Sequence, residues 1–256
     1  MGMKEDLAFE HLKGHGIEFG AFTKPLPINR DRAEIEYADR LSKSEAIALF
    51  PELEDVAESI IEPERIIDFN AKLWHIGVPR RHFDFIIANH FIEHLVNPIQ
   101  FLVGCSEILK PGGIFFLTVP DKDRTFDRNR ELTSNDHLWR DFQRGESTIS
   151  NSHIREFLKT LPAHTPPDSV INYFKENNIP LEYYDDMKLP LNPFKRRKLF
   201  DWHRERSIHV HVWNRESFDG FLHWIIAKLE LGLEIKPTHS SKDAKGEMIY
   251  VLNKIS

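Results

Sequence analysis

The stretch from Phe83 to Pro120 constrains the fold more than any other part of this 256-residue chain. Phe-Asp-Phe-Ile-Ile-Ala, residues 83–88, leads through a turn into a helix-patterned segment, then Lys110-Pro-Gly-Gly113, then Ile-Phe-Phe-Leu-Thr-Val, residues 114–119. Near-continuous apolar runs of this length mark strands buried on both faces, which occur where helices cover a parallel sheet. Between them, Asn97 is a good N-cap with Pro98 at the first helical position, and Phe101, Leu102, Cys105, Ile108 and Leu109 make one apolar stripe. Pro111, Gly112 and Gly113 stop the helix and turn the chain into the second strand. The unit is strand, helix, strand, with the right-handed crossover that parallel strands require.

The rest of the chain extends this pattern. Short strands are expected at 16–22, at 33–39 and at 66–68, with a helix from about 44 to 50 that Ser42 opens and Pro51 interrupts. From Asp123 to about Arg206 the pattern gives way to polar, Pro-dotted sequence. Trp139, Phe142, Phe157, Tyr173, Phe174, Tyr183, Tyr184, Phe194 and Phe200 give this insertion enough aromatic surface to pack, so it reads as a mostly helical cap. Regular structure resumes as a strand at 208–213, a helix from about 215 to 231, and strands near 233–237 and 248–252 that form a closing hairpin. The expected fold is α/β: a doubly wound, seven-stranded, mostly parallel sheet with a helical insertion. Its parts are a cofactor-binding half at 1–122, a substrate-side cap at 123–206, and a final helix and hairpin of the same sheet at 207–256.

Composition excludes several classes. A net charge of −6 supplies no broad basic surface for a phosphate backbone, so nucleic acid is not the expected partner. The apolar runs are strand-sized, far short of the ~20 residues that cross a bilayer. The first residues lack a secretory hydrophobic stretch, so the expected location is the cytoplasm. Cys105 is the only cysteine, which rules out an internal disulfide and fits a buried helix position.

In an open α/β sheet the ligand crevice lies beyond the carboxyl ends of the strands. The residues there are Gly20 to Pro25, Asp39, Asp68 to Lys72, Asn89-His90, and Pro120-Asp121. An acid one strand along from a glycine turn is suited to accept two hydrogen bonds from ribose hydroxyls, and Asp39 is that acid. His90 and His94 are four apart and would share a helix face with Glu93 between them, a grouping able to act as a base. With one more histidine from elsewhere, His90, Glu93 and His94 could also form a metal site, but no metal is assigned. His209 and His211 alternate and would share a strand face. Asp84, at the far end of its strand, is expected to anchor a neighbouring loop. Lys195-Arg-Arg-Lys198 could grip a phosphate or an acidic sugar, although a solvated face is the plainer reading.

These residues, Glu-Phe-Gly at 18–20, the acid at 39, FDFIIANHFIEHLVNP at 83–98 and LKPGGIFFLTVPD at 109–121, resemble the class I S-adenosylmethionine-dependent methyltransferases, in the type 11-like branch. The resemblance covers roughly residues 14–125. It implies S-adenosyl-L-methionine as cofactor, with Glu18, Gly20 and Ala21 at the first motif, Asp39 on the ribose, Asp68 near adenine, and Asn89 and His90 beside the methionine part. His90, His94 and Asp121 are the candidate catalytic residues. One departure stands out: the family's first motif carries two or three glycines, whereas here Ala21 and Phe22 follow Gly20. The implied activity is methylation of a small polar acceptor, extended to O-methylation of a saccharide. The competing readings are a methyltransferase-like binding or scaffold protein without turnover, and a nucleotide-using oxidoreductase, against which the missing G-x-G-x-x-G argues.

Overall fold

In the computed structural model, residues 2–73, 77–160, 189–236 and 246–255 are described, together with Lys175. Seven strands are Gly14–Phe19 (β1), Ala33–Asp39 (β2), Arg65–Ile66 (β3), Phe83–Asn89 (β4), Leu109–Pro120 (β5), Leu233–Ile235 (β6) and Glu247–Lys254 (β7). They form one sheet in the order β3-β2-β1-β4-β5-β7-β6. β1 to β5 pair in parallel, while β7 runs antiparallel to β5 and β6 antiparallel to β7. Order reverses between β1 and β4, which places the ligand crevice beyond their carboxyl ends.

The described helices are Met3–His11 (α1), Lys43–Leu49 (α2), Pro98–Ile108 (α3), Asn135–Arg144 (α4), Asn151–Thr160 (α5), Pro193–Arg206 (α6) and Arg215–Leu229 (α7), with a 3-10 segment at Pro51–Ser59. Both faces of the sheet are covered. Ile17, Phe19, Ile86, Ala88, Phe115 and Leu117 pack with the apolar sides of α3 and α7. Phe85, Ile87, Phe116, Ile249 and Val251 pack on the other face with Ala8 and Leu12. Buried at 1% or less along most of its length, β4 is the spine of this core. No helix among the described residues is long and apolar enough to cross a membrane.

The local signals hold where the chain supplies its own caps. The Asn97 side chain accepts from Gln100 N, with Pro98 at the helix start, and Ser42 forms a reciprocal capping box with Glu45. Cys105 is buried on α3. Asp84 lies at the amino end of β4, where it accepts from His15 N at 2.9 Å and Lys110 Nζ at 2.8 Å. Other expectations need correcting. β1 ends at Phe19, so residues 20–22 belong to the turn and not to the strand. β3 is shorter and earlier than expected, leaving Asp68 beyond it. Residues 208–213 form no strand despite their alternation: Val210 N and His211 N both donate to the carbonyl of Glu93, and only Trp213 makes a bridge, to Asp121. Consequently His209 and His211 do not share a strand face. Neither do His90 and His94 share a helix face, because only a short 3-10 turn, Ile92–His94, follows β4. The α1 helix and the 3-10 segment at Pro51–Ser59 were not expected. Tyr173, Phe174, Tyr183, Tyr184 and the end of the hairpin turn at 237–245 lie outside the described residues.

Two features of β1 bear directly on the crevice. A Cβ added to Gly16 would lie 2.2–2.3 Å from the ring of Phe85 on the adjacent strand, so only glycine lets β1 and β4 close at this position. Glu18 is fully buried and its two carboxylate oxygens accept from Leu26 N at 3.0 and 3.2 Å, which pins the far end of the turn that starts at Gly20. Burial pushes its pKa up to about 8, against the hydrogen bond from Leu26 and the charges of Arg30 and Lys4. Such a carboxyl is neutral in the folded chain where it is ionised in the unfolded one.

Gly16→Ala is expected to cost about 1–3 kcal/mol through overpacking. Gly220→Ala, inside α7 with nothing within 4 Å of its added methyl, should instead gain roughly 0.5–1 kcal/mol. Chemical denaturation of the two variants checks the signs. For Glu18 the folded state holds an extra proton from about pH 4.5 to about pH 8, so stability falls as pH rises through that window. Glu18→Gln keeps an acceptor for Leu26 N and should flatten the melting temperature between pH 5 and 8; an unchanged slope would show that Glu18 is already ionised.

Candidate functional site

A cavity of about 500 Å³ opens where β1, β2 and β4 end, lined among others by Gly20, Asp39, Asp68, Phe69, His90 and His94. A second opening, lined by Lys4, Ala21, Asn89 and Glu247, has Gly20, Phe22 and His90 in common with it. The geometry therefore gathers Gly20, Asp39, Asp68 and His90 around one space, with Ala21 and Asn89 beside it. Glu18 and Asp121 are not part of its lining. Glu18 acts on the turn from beneath, while Asp121 is buried, caps the turn Lys122–Arg124 by accepting from Asp123 N, and pairs with Trp213.

The turn after β1 has the backbone of a glycine motif with a non-glycine side chain in it. Gly20 has φ +69° and its Cβ would meet the Phe91 ring at 2.5 Å, so the bare backbone faces the cavity there. Phe22 has φ +48°, in the left-handed region that costs an ordinary residue roughly 1–2 kcal/mol. What compensates is packing. The Phe22 ring meets Phe50 at 5.4 Å, Arg206 of α6 lies 4.3 Å over Phe50, and Arg206 donates to the carbonyl of Leu49 at 2.5 Å. The glycine-poor motif thus keeps the turn's shape and uses the extra side chain to attach α6 over the cavity.

At the opposite side, Asp39 ends β2 and accepts from Arg40 N at 2.7 Å, which leaves carboxylate lone pairs free for a ligand; burial pushes its pKa upward. Asp68 accepts from Asn70 N at 2.9 Å in the loop beyond β3. Phe69, Phe91, Leu41 and Leu95 supply the apolar part of the wall. An apolar slot with a bare-backbone turn and an acid one strand away has the donor set that an adenosine-type cofactor needs.

Beyond β4 the charges are ordered. Glu93 is almost fully buried and neither carboxylate oxygen accepts a hydrogen bond, yet its neighbours keep it ionised. Burial raises its pKa, but His90, His94 and His209 more than offset this and hold it below the usual range. His90 sits at φ +51° with Nδ1 3.6 Å from Glu93 and Nε2 3.4 Å from Glu247. Burial lowers its pKa, and the two carboxylates override that and push it up to about 9, so His90 is an imidazolium near neutral pH. His94 is the reverse case. Burial, reinforced by His209, lowers its pKa to about 4. Its Nδ1 lies 3.0 Å from the carbonyl of Ile208, an acceptor only, so Nδ1 carries the proton and Nε2 is a lone pair.

His209 is held in the same way: Nδ1 lies 2.5 Å from Asp127, which Arg130 binds at 3.1 Å. Glu93, His94 and His209 bring one donor atom each within 4.8 Å of one another, and these are the atoms a divalent cation could use. His209 is the histidine from elsewhere that the expected set needed, while His90, turned toward Glu247, falls outside it. His137, Asp141 and His153 make a second such group between α4 and α5. Its His137–Asp141 pair sits four apart on α4, at 2.9 Å, but the third member, His153, comes from α5, so sequence spacing alone did not reveal the group.

A family model described as a methyltransferase domain matches residues 14–223. A probable S-adenosylmethionine-dependent methyltransferase of Mycolicibacterium smegmatis is 29% identical over 79 residues, covering 31% of this chain and 30% of that one. A ubiquinone biosynthesis O-methyltransferase of Cereibacter sphaeroides is 27% identical over 119 residues, covering 46% and 44%. The chain spans less than half the length of the curated relatives it matches. Among solved structures, a SAM-dependent methyltransferase from Aquifex aeolicus aligns at TM-score 0.46 and 10% identity, covering 99% of this chain and 90% of that one. With a family model spanning most of its length, this chain belongs to the methyltransferase-domain family.

Proposed function

We propose that the chain binds S-adenosyl-L-methionine and transfers its methyl group to a hydroxyl of a small polar acceptor, with a saccharide as the acceptor class. One observation carries this reading: Gly20, Asp39, Asp68 and His90 line a single cavity at the strand ends of a methyltransferase-family chain. The bound cofactor supplies an electrophilic methyl on a sulfonium. Asp39 accepts from the ribose hydroxyls, the wall around Phe69 takes the adenine, and the Gly20 backbone lets the chain of the cofactor pass toward His90. The imidazolium of His90, next to Asn89, binds the carboxylate of the methionine part.

Methyl transfer to a hydroxyl is an in-line displacement, so the protein's work is to position the acceptor and remove its proton. His94 Nε2 is the group for the second task, because His94 lines the cavity and the Ile208 carbonyl at Nδ1 leaves Nε2 as the lone pair. The buried carboxylate of Glu93 stabilises the imidazolium that forms. Ser147, Thr148 and Ile149, with Arg204, Arg206 and Ser207 at the end of α6, shape the acceptor end.

Calorimetric titration of nucleotide-stripped protein should give micromolar binding of S-adenosylmethionine and S-adenosylhomocysteine and no heat with NADH. Asp39→Ala should weaken cofactor binding by about 1–3 kcal/mol with little change in melting temperature. His94→Ala should lower turnover roughly 100-fold or more with cofactor affinity kept. Equal loss of both would make His94 a structural residue, and a folded protein that binds neither cofactor form would be a scaffold.

A further inference from the structure

The basic run Lys195–Lys198 is one wall of a groove. Between α5 and α6 lies an opening of about 500 Å³ lined by Asn151, Arg155, Arg196, Arg197, Phe200 and Arg204, with Pro193 and Asp201 at its edge. Its charge is unbalanced. Among the described residues the one acid in the lining, Asp201, is taken by Arg204 Nη1 at 2.6 Å. Arg204 is fully engaged, since its Nε donates to the carbonyl of Ile149 at 2.9 Å and its Nη2 donates to Asn151 Oδ1. Arg197 reaches Asp201 only at 3.6 Å, with its side chain 84% exposed. Arg155 is set by stacking, its guanidinium 5.5 Å from the Phe200 ring centroid. Three guanidinium groups therefore face a groove whose acid is already neutralised, in a chain whose net charge is −6.

We propose that this groove is an anion subsite for the diphosphate of the methyl acceptor. Guanidinium forks match phosphate oxygens bidentately, and three of them more than offset the two charges of a sugar-linked diphosphate. Continuity supplies the link to chemistry: Arg204 lines both this groove and the cavity that holds His94, so an acceptor anchored here by its phosphates has its sugar end on the side of that cavity. The proposal rests on the methyltransferase reading for that last step, while the anion binding itself does not. A nucleotide-linked and a lipid-linked sugar share the diphosphate, and the groove reads that shared group.

The test is calorimetry of the full chain with inorganic pyrophosphate at about 0.15 M ionic strength, against sulfate at the same ionic strength. The expected result is one saturable site for pyrophosphate, at least tenfold tighter than sulfate, lost at least tenfold in Arg155→Gln/Arg197→Gln with melting temperature and S-adenosylhomocysteine affinity unchanged. The single variant Arg197→Gln, at a solvent-facing position, gives the same sign should the double variant unfold. Displacement of pyrophosphate by a nucleoside diphosphate or by a short prenyl diphosphate identifies the source of the group. Absence of saturable binding, equal affinity for sulfate, or binding only to vesicles of anionic lipid or to RNA would overturn the proposal. Intact pyrophosphate binding with no S-adenosylhomocysteine binding would sink the methyltransferase reading and leave the subsite standing.

Discussion

The burial of β4 on both faces is the constraint on which the rest depends. From Phe83 to Ala88 this strand has no polar side chain except Asp84 at its amino end, and helices close over both sides. Every polar group that the site uses is therefore pushed beyond the strand's carboxyl end, where Asn89, His90, Glu93 and His94 follow within five residues. β1 must approach β4 closely enough to deliver its turn to the same place, and Gly16 against Phe85 permits that approach. Core packing and ligand geometry are here one problem, because the residues that fill the sheet also fix where its ends stop.

The second organising element is the backbone carbonyl of Glu93, which takes N–H bonds from Val210 at 2.7 Å and His211 at 3.1 Å. It draws the segment after α6 against the turn after β4 and so brings His209 beside His94. It also leaves a buried carboxylate surrounded by three imidazoles of different kinds: His90 charged between two acids, His94 neutral with a fixed tautomer, and His209 oriented by Asp127. Environment, and not residue type, makes one imidazole charged and its neighbour neutral.

Much of this was legible in the residues. The double-sided runs at 83–88 and 114–119, the Asn97 and Ser42 caps, the acid at 39 and the anchoring role of Asp84 follow from local chemistry that tertiary structure did not override. Residues 208–213 misled because alternation marks a strand only when a neighbouring strand offers partners, and here a carbonyl from a turn and the Thr133 hydroxyl satisfy those N–H groups instead. α1 escaped notice because only Ala8 of its residues is buried, so its periodicity is faint. Asp121 follows a strand, as a crevice acid does, yet its position is used to cap the next turn. Glu93 was legible as an acid between two histidines, but its burial was not, because that depends on contacts more than a hundred residues away. Phe22 shows the reverse: the family pattern marks its position as one for glycine, and the backbone conformation agrees with the pattern while the side chain does not.

Hydrogen exchange of the full chain with and without saturating S-adenosylhomocysteine tests the central claim most directly, because it reports where the ligand sits. Slowed exchange confined to the turn 19–26, the ends of β2 and β3 at 38–41 and 66–70, and residues 89–91 is the outcome that this account requires. Protection elsewhere, around His137, Asp141 and His153 for example, or none at all in a protein that binds the ligand, would contradict it.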